Sequence, residues 1–182
     1  GGDYSSIVPL IPTGKGTSAS HLSWTDDKFV EGEASIIEIS GVYKKYHCPM
    51  ARTVLLGKPD QKKIDTMKRT REALQAGIDV TKPGNTADDV AQAFWKVLDK
   101  YGIEKKSRTG YSIGIGYPPD WGEHTLNIQK GDKTVLQKNV CFHMIAVMQF
   151  GEWGVESSES IRVTENGAEN FYKFPDELHI KG

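Results

Sequence analysis

Glu38 stands in an apolar strand with no second acid near it. It lies within "SIIEISGVYKKYHCPMARTVLLGKP", Ser35 to Pro59, flanked by Ile36, Ile37 and Ile39. A carboxylate is costly to ionise among such neighbours unless a cation meets it. Glu38 is therefore read either as a metal ligand or as a nucleophile or base waiting for a cationic ligand. The other residues able to do chemistry are few. They are His21, His143, the pair Glu156 and Glu159, and the aromatics Tyr111, Tyr117 and Trp121.

Each has an ordinary reading beside the chemical one. His21 follows Ser18, Ala19 and Ser20 at a loop–strand junction, where a hydrogen-bonded surface histidine is common. His47, next to two lysines and a tyrosine, reads as a surface residue. His143 lies inside an apolar run and reads as a satisfied core histidine. Glu156 and Glu159 fall in opposite phases of one strand, so at most one of them faces a given pocket.

Familiar signatures are missing from the sequence. "TGKGTS" lacks the spacing of a phosphate loop and has no strand leading into it. "SIGIG" is followed by Pro118 and Pro119, which forbid the helix that a dinucleotide fingerprint needs. There is no H-x-x-x-H, no C-x-x-C, and no run of aspartates at ligand spacing.

The elements that must position these residues are legible from periodicity. The first twenty residues, rich in Gly, Ser, Thr and Pro, read as a loop leading to His21. "EASIIEIS" and "MARTVLLG" read as an antiparallel pair of strands. Gln61 to Ile78 shifts to helical spacing, with Ile64, Met67, Leu74 and Ile78 on one face. A second helix starts after Thr86, with Asp89 as its capping-box partner, and ends at Gly102. Val90, Phe94, Val97 and Leu98 form its apolar stripe. "TGYSIGIGYPPDWGEHT" is a Gly-rich strand entering a Pro-Pro bend, and "NVCFHMIAVMQF" a central strand. "SIRVTENGAENF" is a hairpin around Asn166-Gly167. The order predicts an α+β fold, with helices covering one face of a curved antiparallel sheet.

With 182 residues the chain is long enough for one domain and short for two. A net charge of −1 without a basic cluster argues against nucleic acid and against an anionic membrane surface. No apolar run approaches the roughly 20 residues needed to span a bilayer. The N-terminal residues lack the charged start and apolar run of a signal peptide. Cys48 and Cys141 read as small buried thiols and not as a disulfide, which places the protein in a reducing, cytoplasmic compartment.

Four phrases in order, "YHCPMART", "TKPGNTADDV", "GYSIGIGYPP" and "GVESSESIRVTENGAENF", resemble the creatinase, prolidase and methionine aminopeptidase family along essentially the whole chain. The resemblance implies the pita-bread fold, and residues 1–182 as the C-terminal part of its catalytic domain. Preceding helices and an N-terminal domain are expected in the complete protein. Anchored on Arg52-Thr53, the family's five metal-ligand positions fall at Glu38, Pro49, Tyr111, Ile145 and Ser158. One carboxylate of five remains, so the expectation is an enzyme with no metal and no other cofactor.

Within the family the likeness narrows to the metal-free branch. "GTSASHLSWTDDKFVEGE" places His21 where creatinase carries its catalytic histidine, while Ala51 stands where creatinase has a substrate-binding Glu. "SGVYKKYHCPMARTV" and "TGYSIGIGYPPDWGEHT" are similar to the ectoine hydrolase branch, which opens a cyclic amidine. The resemblance thus implies a C–N hydrolase with Glu38 and His21 catalytic. Tyr111, Tyr117, Trp121, His143 and Glu156 are the expected substrate contacts. A small-molecule substrate and a homodimer of the full-length protein are the expected partners. The alternatives are a creatinase-like amidinohydrolase, an Xaa-Pro peptidase relative, and a non-catalytic pita-bread binding module.

Overall fold

The computed structural model describes residues Gly1–Gly182. Strand β1 (Ala34–Tyr43) alternates as its sequence demands. Ala34, Ile36, Glu38 and Val42 turn inward, while Ile37 and Ile39 stay 40% and 42% exposed. Lys44 and Lys45 both adopt positive φ, the geometry of a tight two-residue hairpin, and return the chain into β2 (Tyr46–Leu56). Glu38 pairs with Ala51 and Ser40 with Pro49, so Pro49 lies within a regular antiparallel ladder.

Two helices follow. α1 (Gln61–Asp79) starts where the Asp60 carboxylate accepts the Lys63 N–H at 2.8 Å. α2 (Ala87–Lys100) has the expected capping box, with Thr86 and Asp89 each accepting the other's backbone N–H. Its stripe of Val90, Phe94 and Leu98 is fully buried against Met144, Phe142 and Ile161. Helix α1 passes close to β5 at Gly77. A Cβ there would stand 2.0 Å from Met144 Cε.

The remaining strands are β3 (Gly110–Tyr117), β4 (Asp120–Ile128), β5 (Cys141–Gln149), β6 (Gly154–Val163), β7 (Ala168–Asn170) and β8 (His179–Lys181). They order as β1-β2-β3-β5-β6-β7, with β4 on β3 and β8 parallel to β2. Only Tyr46–Ile115 pairs β2 with β3, and the sheet curls there into a half-barrel. The curl brings β2 against β6, where side chains take over from the ladder. Ser158 Oγ accepts the Ala51 N–H at 2.7 Å, and Ser160 Oγ donates to the Pro49 carbonyl at 2.6 Å.

Four expectations need correction. His47 is buried, not at the surface. Its place on the inward face of β2 outweighs its charged neighbours, and both ring nitrogens are satisfied. Nε2 accepts the Ser6 N–H at 3.0 Å, so Nδ1 carries the proton and donates to the Lys45 carbonyl at 2.9 Å. The Pro-Pro bend turns the chain back into a full strand, β4. Strand β6 starts at Gly154, well before the expected hairpin strand. Cys48 and Cys141 are free thiols, half-buried and not fully so.

Candidate active site

The concave side of the half-barrel encloses a cavity of about 540 Å³, a volume suited to a small molecule. Its wall contains Glu38 from β1, Tyr111 from β3, Trp121 from β4, Ile145 from β5 and Glu156 from β6. The N-terminal loop closes one side with Leu10, Pro12 and His21. Leu10 and Glu38 exchange backbone hydrogen bonds of 2.9 Å each, which lays this loop across β1. A 3-10 turn, Gly14–Ser18, then directs the chain towards His21. Thr17 holds that turn in place, accepting the Gly154 N–H through its hydroxyl at 2.8 Å. Gly154 permits the approach, since a Cβ would lie 2.2 Å from the Thr17 carbonyl oxygen. His21 itself sits exposed at the rim with φ 63, a left-handed conformation that is uncommon outside glycine.

Arg52 and Thr53 fix β6, and with it Glu156. Thr53 Oγ1 donates to the Glu156 carbonyl at 2.8 Å and accepts the Glu156 N–H at 2.7 Å. Arg52 Nη1 donates to the Ser158 carbonyl at 2.7 Å, and Nη2 meets the Glu159 carboxylate at 2.5 Å. Glu159 is thus spent on a buried ion pair on the outer face, while Glu156, in the opposite phase, faces the cavity. The alternation read from the sequence holds.

The two cavity carboxylates have no ion-pair partner, unlike Glu159. Burial, with the nearby Glu156 charge adding to it, pushes Glu38 up to about 9. Burial raises Glu156 to about 7, and the positive charge of Lys105 acts against that rise. Lys105 is itself buried and drawn down to about 8, with Nζ donating to Ser107 Oγ at 2.5 Å. Sequence reasoning missed Lys105 because "EKKS" reads as a charged surface turn. Arg108, which also lines the cavity, was missed in the same stretch.

Behind the wall runs a chain of hydrogen bonds. Trp121 Nε1 donates to Tyr111 Oη at 2.6 Å, and Tyr111 Oη lies 3.0 Å from His143 Nδ1. On the other side of the ring, His143 Nε2 lies 2.7 Å from Ser158 Oγ. Burial depresses His143 to about 3 and holds Tyr111 well above the ordinary phenol range. His143 is thus a neutral support beneath Tyr111 and does not line the cavity. Tyr117 does not line it either. The strand carries it past the rim, where it is 61% exposed. Of the sequence-nominated residues, Glu38, His21, Tyr111, Trp121 and Glu156 come together.

Residues 1–165 match the model of metallopeptidase family M24. The chain belongs to peptidase family M24. It is 46% identical over all 182 residues to the ectoine hydrolase of Halomonas elongata, covering 46% of that protein. An uncharacterized hydrolase/peptidase of Sinorhizobium fredii is 35% identical over 181 residues. Among solved structures, the dipeptidase PepE of Mycobacterium ulcerans superposes with a TM-score of 0.88 at 26% identity, over 98% of this chain and 48% of that one. The chain spans about half the length of the curated relatives it matches.

The family's name implies a metal centre, and the donors at the matching positions do not fit one. Glu38 offers a carboxylate, but Pro49 and Ile145 offer no side-chain donor. The Tyr111 and Ser158 hydroxyls are committed to Trp121, His143 and Ala51. No group of three or more His, Cys, Asp or Glu side chains is placed to hold a metal ion. Two hard cations need several anionic oxygens, which this set does not supply.

Proposed function

We propose that the complete protein is a hydrolase that opens a cyclic amidine, ectoine being the specific candidate, without a metal. The observation that carries this reading is the pairing of Glu38 and Glu156 in one cavity. Two buried carboxylates with raised proton affinity are poorly matched to an empty or anionic ligand, and well matched to a planar cation. An amidinium brings the positive charge that returns Glu38 to its ionised form. The ring carbon between two nitrogens is already electrophilic, so it needs no Lewis acid to polarise it.

The chemistry follows from these positions. Glu38 either takes a proton from a water attacking the amidinium carbon, or bonds to that carbon itself and is displaced from it by water once the ring nitrogen has left. The resulting tetrahedral centre collapses when one ring nitrogen accepts a proton and its bond to that carbon breaks. His21 at the rim is the donor to that nitrogen, and Glu156, poised near neutrality, steadies the cation from the far wall. One water is consumed, and the product from ectoine is an N-acetyl-diaminobutyrate. Trp121 and Tyr111 supply aromatic walls for the flat ring.

The high identity to an ectoine hydrolase supports the substrate, and the donor set at the ligand positions supports metal independence. The test is a turnover assay of the full-length protein with ectoine, creatine and Xaa-Pro dipeptides. Ring opening of ectoine alone is expected. Hydrolysis of dipeptides or creatine in its place would refute the assignment.

A further inference from the structure

The cavity also holds a guanidinium that the reaction outlined above leaves unused. Arg108 lies in the wall with its guanidinium carbon 4.5 Å from the centre of the Tyr111 ring. Its Nη1 donates to Asn127 Oδ1 at 2.5 Å. Asn127 and Tyr111 are cross-strand partners on β4 and β3, so one rigid pair fixes the plane of the guanidinium. Arg52, Arg71 and Arg162 each meet a carboxylate, but Arg108 makes no ion pair. Asp120, another acid of the wall, is already engaged by His124 Nε2 and the Gly122 N–H, both at 2.9 Å. Arg108 therefore presents donors free of any ion pair on a fork held over the Tyr111 ring and tied to Asn127, an arrangement that suits a bidentate carboxylate.

We propose that Arg108 anchors a carboxylate of the ligand, so that the cavity selects a zwitterion: a planar amidine that carries an acid group. The proposal rests on the amidine reading of the Glu38–Glu156 pair and adds the opposite end of the molecule. It assigns one pole of the ligand to each side of the site. The amidinium meets the two glutamates and the carboxylate meets Arg108, so the ring can enter in one orientation only. Arg108 is then a specificity-determining residue that touches no reacting atom.

The test uses full-length protein and two ligands, ectoine and 2-methyl-1,4,5,6-tetrahydropyrimidine, the same ring without its carboxylate. Binding is read by stopped-flow tryptophan fluorescence, ahead of any turnover, and product is read separately. Wild type should prefer ectoine by about 10- to 100-fold. Arg108→Met should erase that preference while leaving affinity for the acid-free ring within about threefold. Arg108→Gln provides the same reading if the Met variant does not fold. A preference that survives loss of the guanidinium, or no preference in wild type, overturns the anchor. If the preference is present and lost on substitution but no ring opening occurs, the anchor stands and the proposed reaction fails.

Discussion

Glu38 on β1 and Glu156 on β6 face one cavity, and the charge on Glu156 makes Glu38 harder to ionise. Neither carboxylate has a hydrogen-bonded cation, whereas Glu159, three residues from Glu156, is paired with Arg52 at 2.5 Å. The same strand thus gives one acid an ion-pair partner on its outer face and leaves another without one on its inner face, where Lys105 acts only through space. Buried carboxylates without an ion pair are a feature of sites, and they have consequences that can be measured.

The first concerns stability. The folded-state value of Glu38 lies near 9 against an ordinary 4.5, so between these pH values the native protein holds a proton that the unfolded chain releases. Stability must therefore fall as pH rises through that window. Glu38→Gln removes the effect and should stabilise the unliganded protein at pH 7 by about 1–3 kcal/mol. The gain should vanish near pH 4. Denaturant unfolding of both proteins across pH 4–9 checks the sign, and a variant less stable than wild type at pH 7 would contradict it.

The second concerns proton release. An amidinium entering near neutral pH should ionise Glu38, so binding should release a proton to buffer. Calorimetric titrations in buffers of different ionisation enthalpy measure this directly. The acid limb of kcat/KM, which reports the free protein, should lie at higher pH than the acid limb of kcat. Coincident limbs and no proton release would show that Glu38 is already charged before the ligand arrives.

Thr53 permits a structural test. Its hydroxyl satisfies both the N–H and the carbonyl of Glu156. Thr53→Val keeps the shape and leaves both buried groups unpaired, with an expected loss of about 2–4 kcal/mol. Thr53→Ser should recover most of it. Thermal unfolding compares the three proteins, and a neutral Val variant would remove Thr53 from the positioning of β6.

His21 is tested by rate. As the proton donor to the leaving nitrogen, its replacement by Ala should lower kcat by roughly 10²–10⁴-fold with the fold intact. Circular dichroism and steady-state kinetics on the same sample check this. A near-normal rate would leave His21 a rim residue and pass proton transfer to Glu156.

Local signals in the sequence were reliable where one segment carries its own code. The Thr86–Asp89 capping box, the amphipathic stripe of α2 and the Asn166-Gly167 turn all appear where their residues place them. The opposite phases of Glu156 and Glu159 were likewise legible, because strand alternation is a two-residue rule. What failed was long-range. His47 looks exposed among its neighbours, yet it lies on the inward face of β2, where Ser6, far away in sequence, meets its Nε2. Lys105 and Arg108 look like solvated charges until the curl of the sheet brings β6 and β3 around them. Strand β4 was hidden because Pro118, Pro119 and Gly122 read as loop chemistry, although Gly122 is the close approach that admits the Tyr111 ring.

Metal-free ring opening is the central claim, and one assay tests it most directly. Full-length protein is dialysed exhaustively against chelator, its metal content is measured, and ectoine is followed by proton NMR. The account predicts undiminished conversion to an N-acetyl-diaminobutyrate at sub-stoichiometric metal, and abolished conversion in Glu38→Gln. Conversion that ceases on chelation and returns only with Mn²⁺, Co²⁺ or Zn²⁺, or that persists in Glu38→Gln, would contradict it.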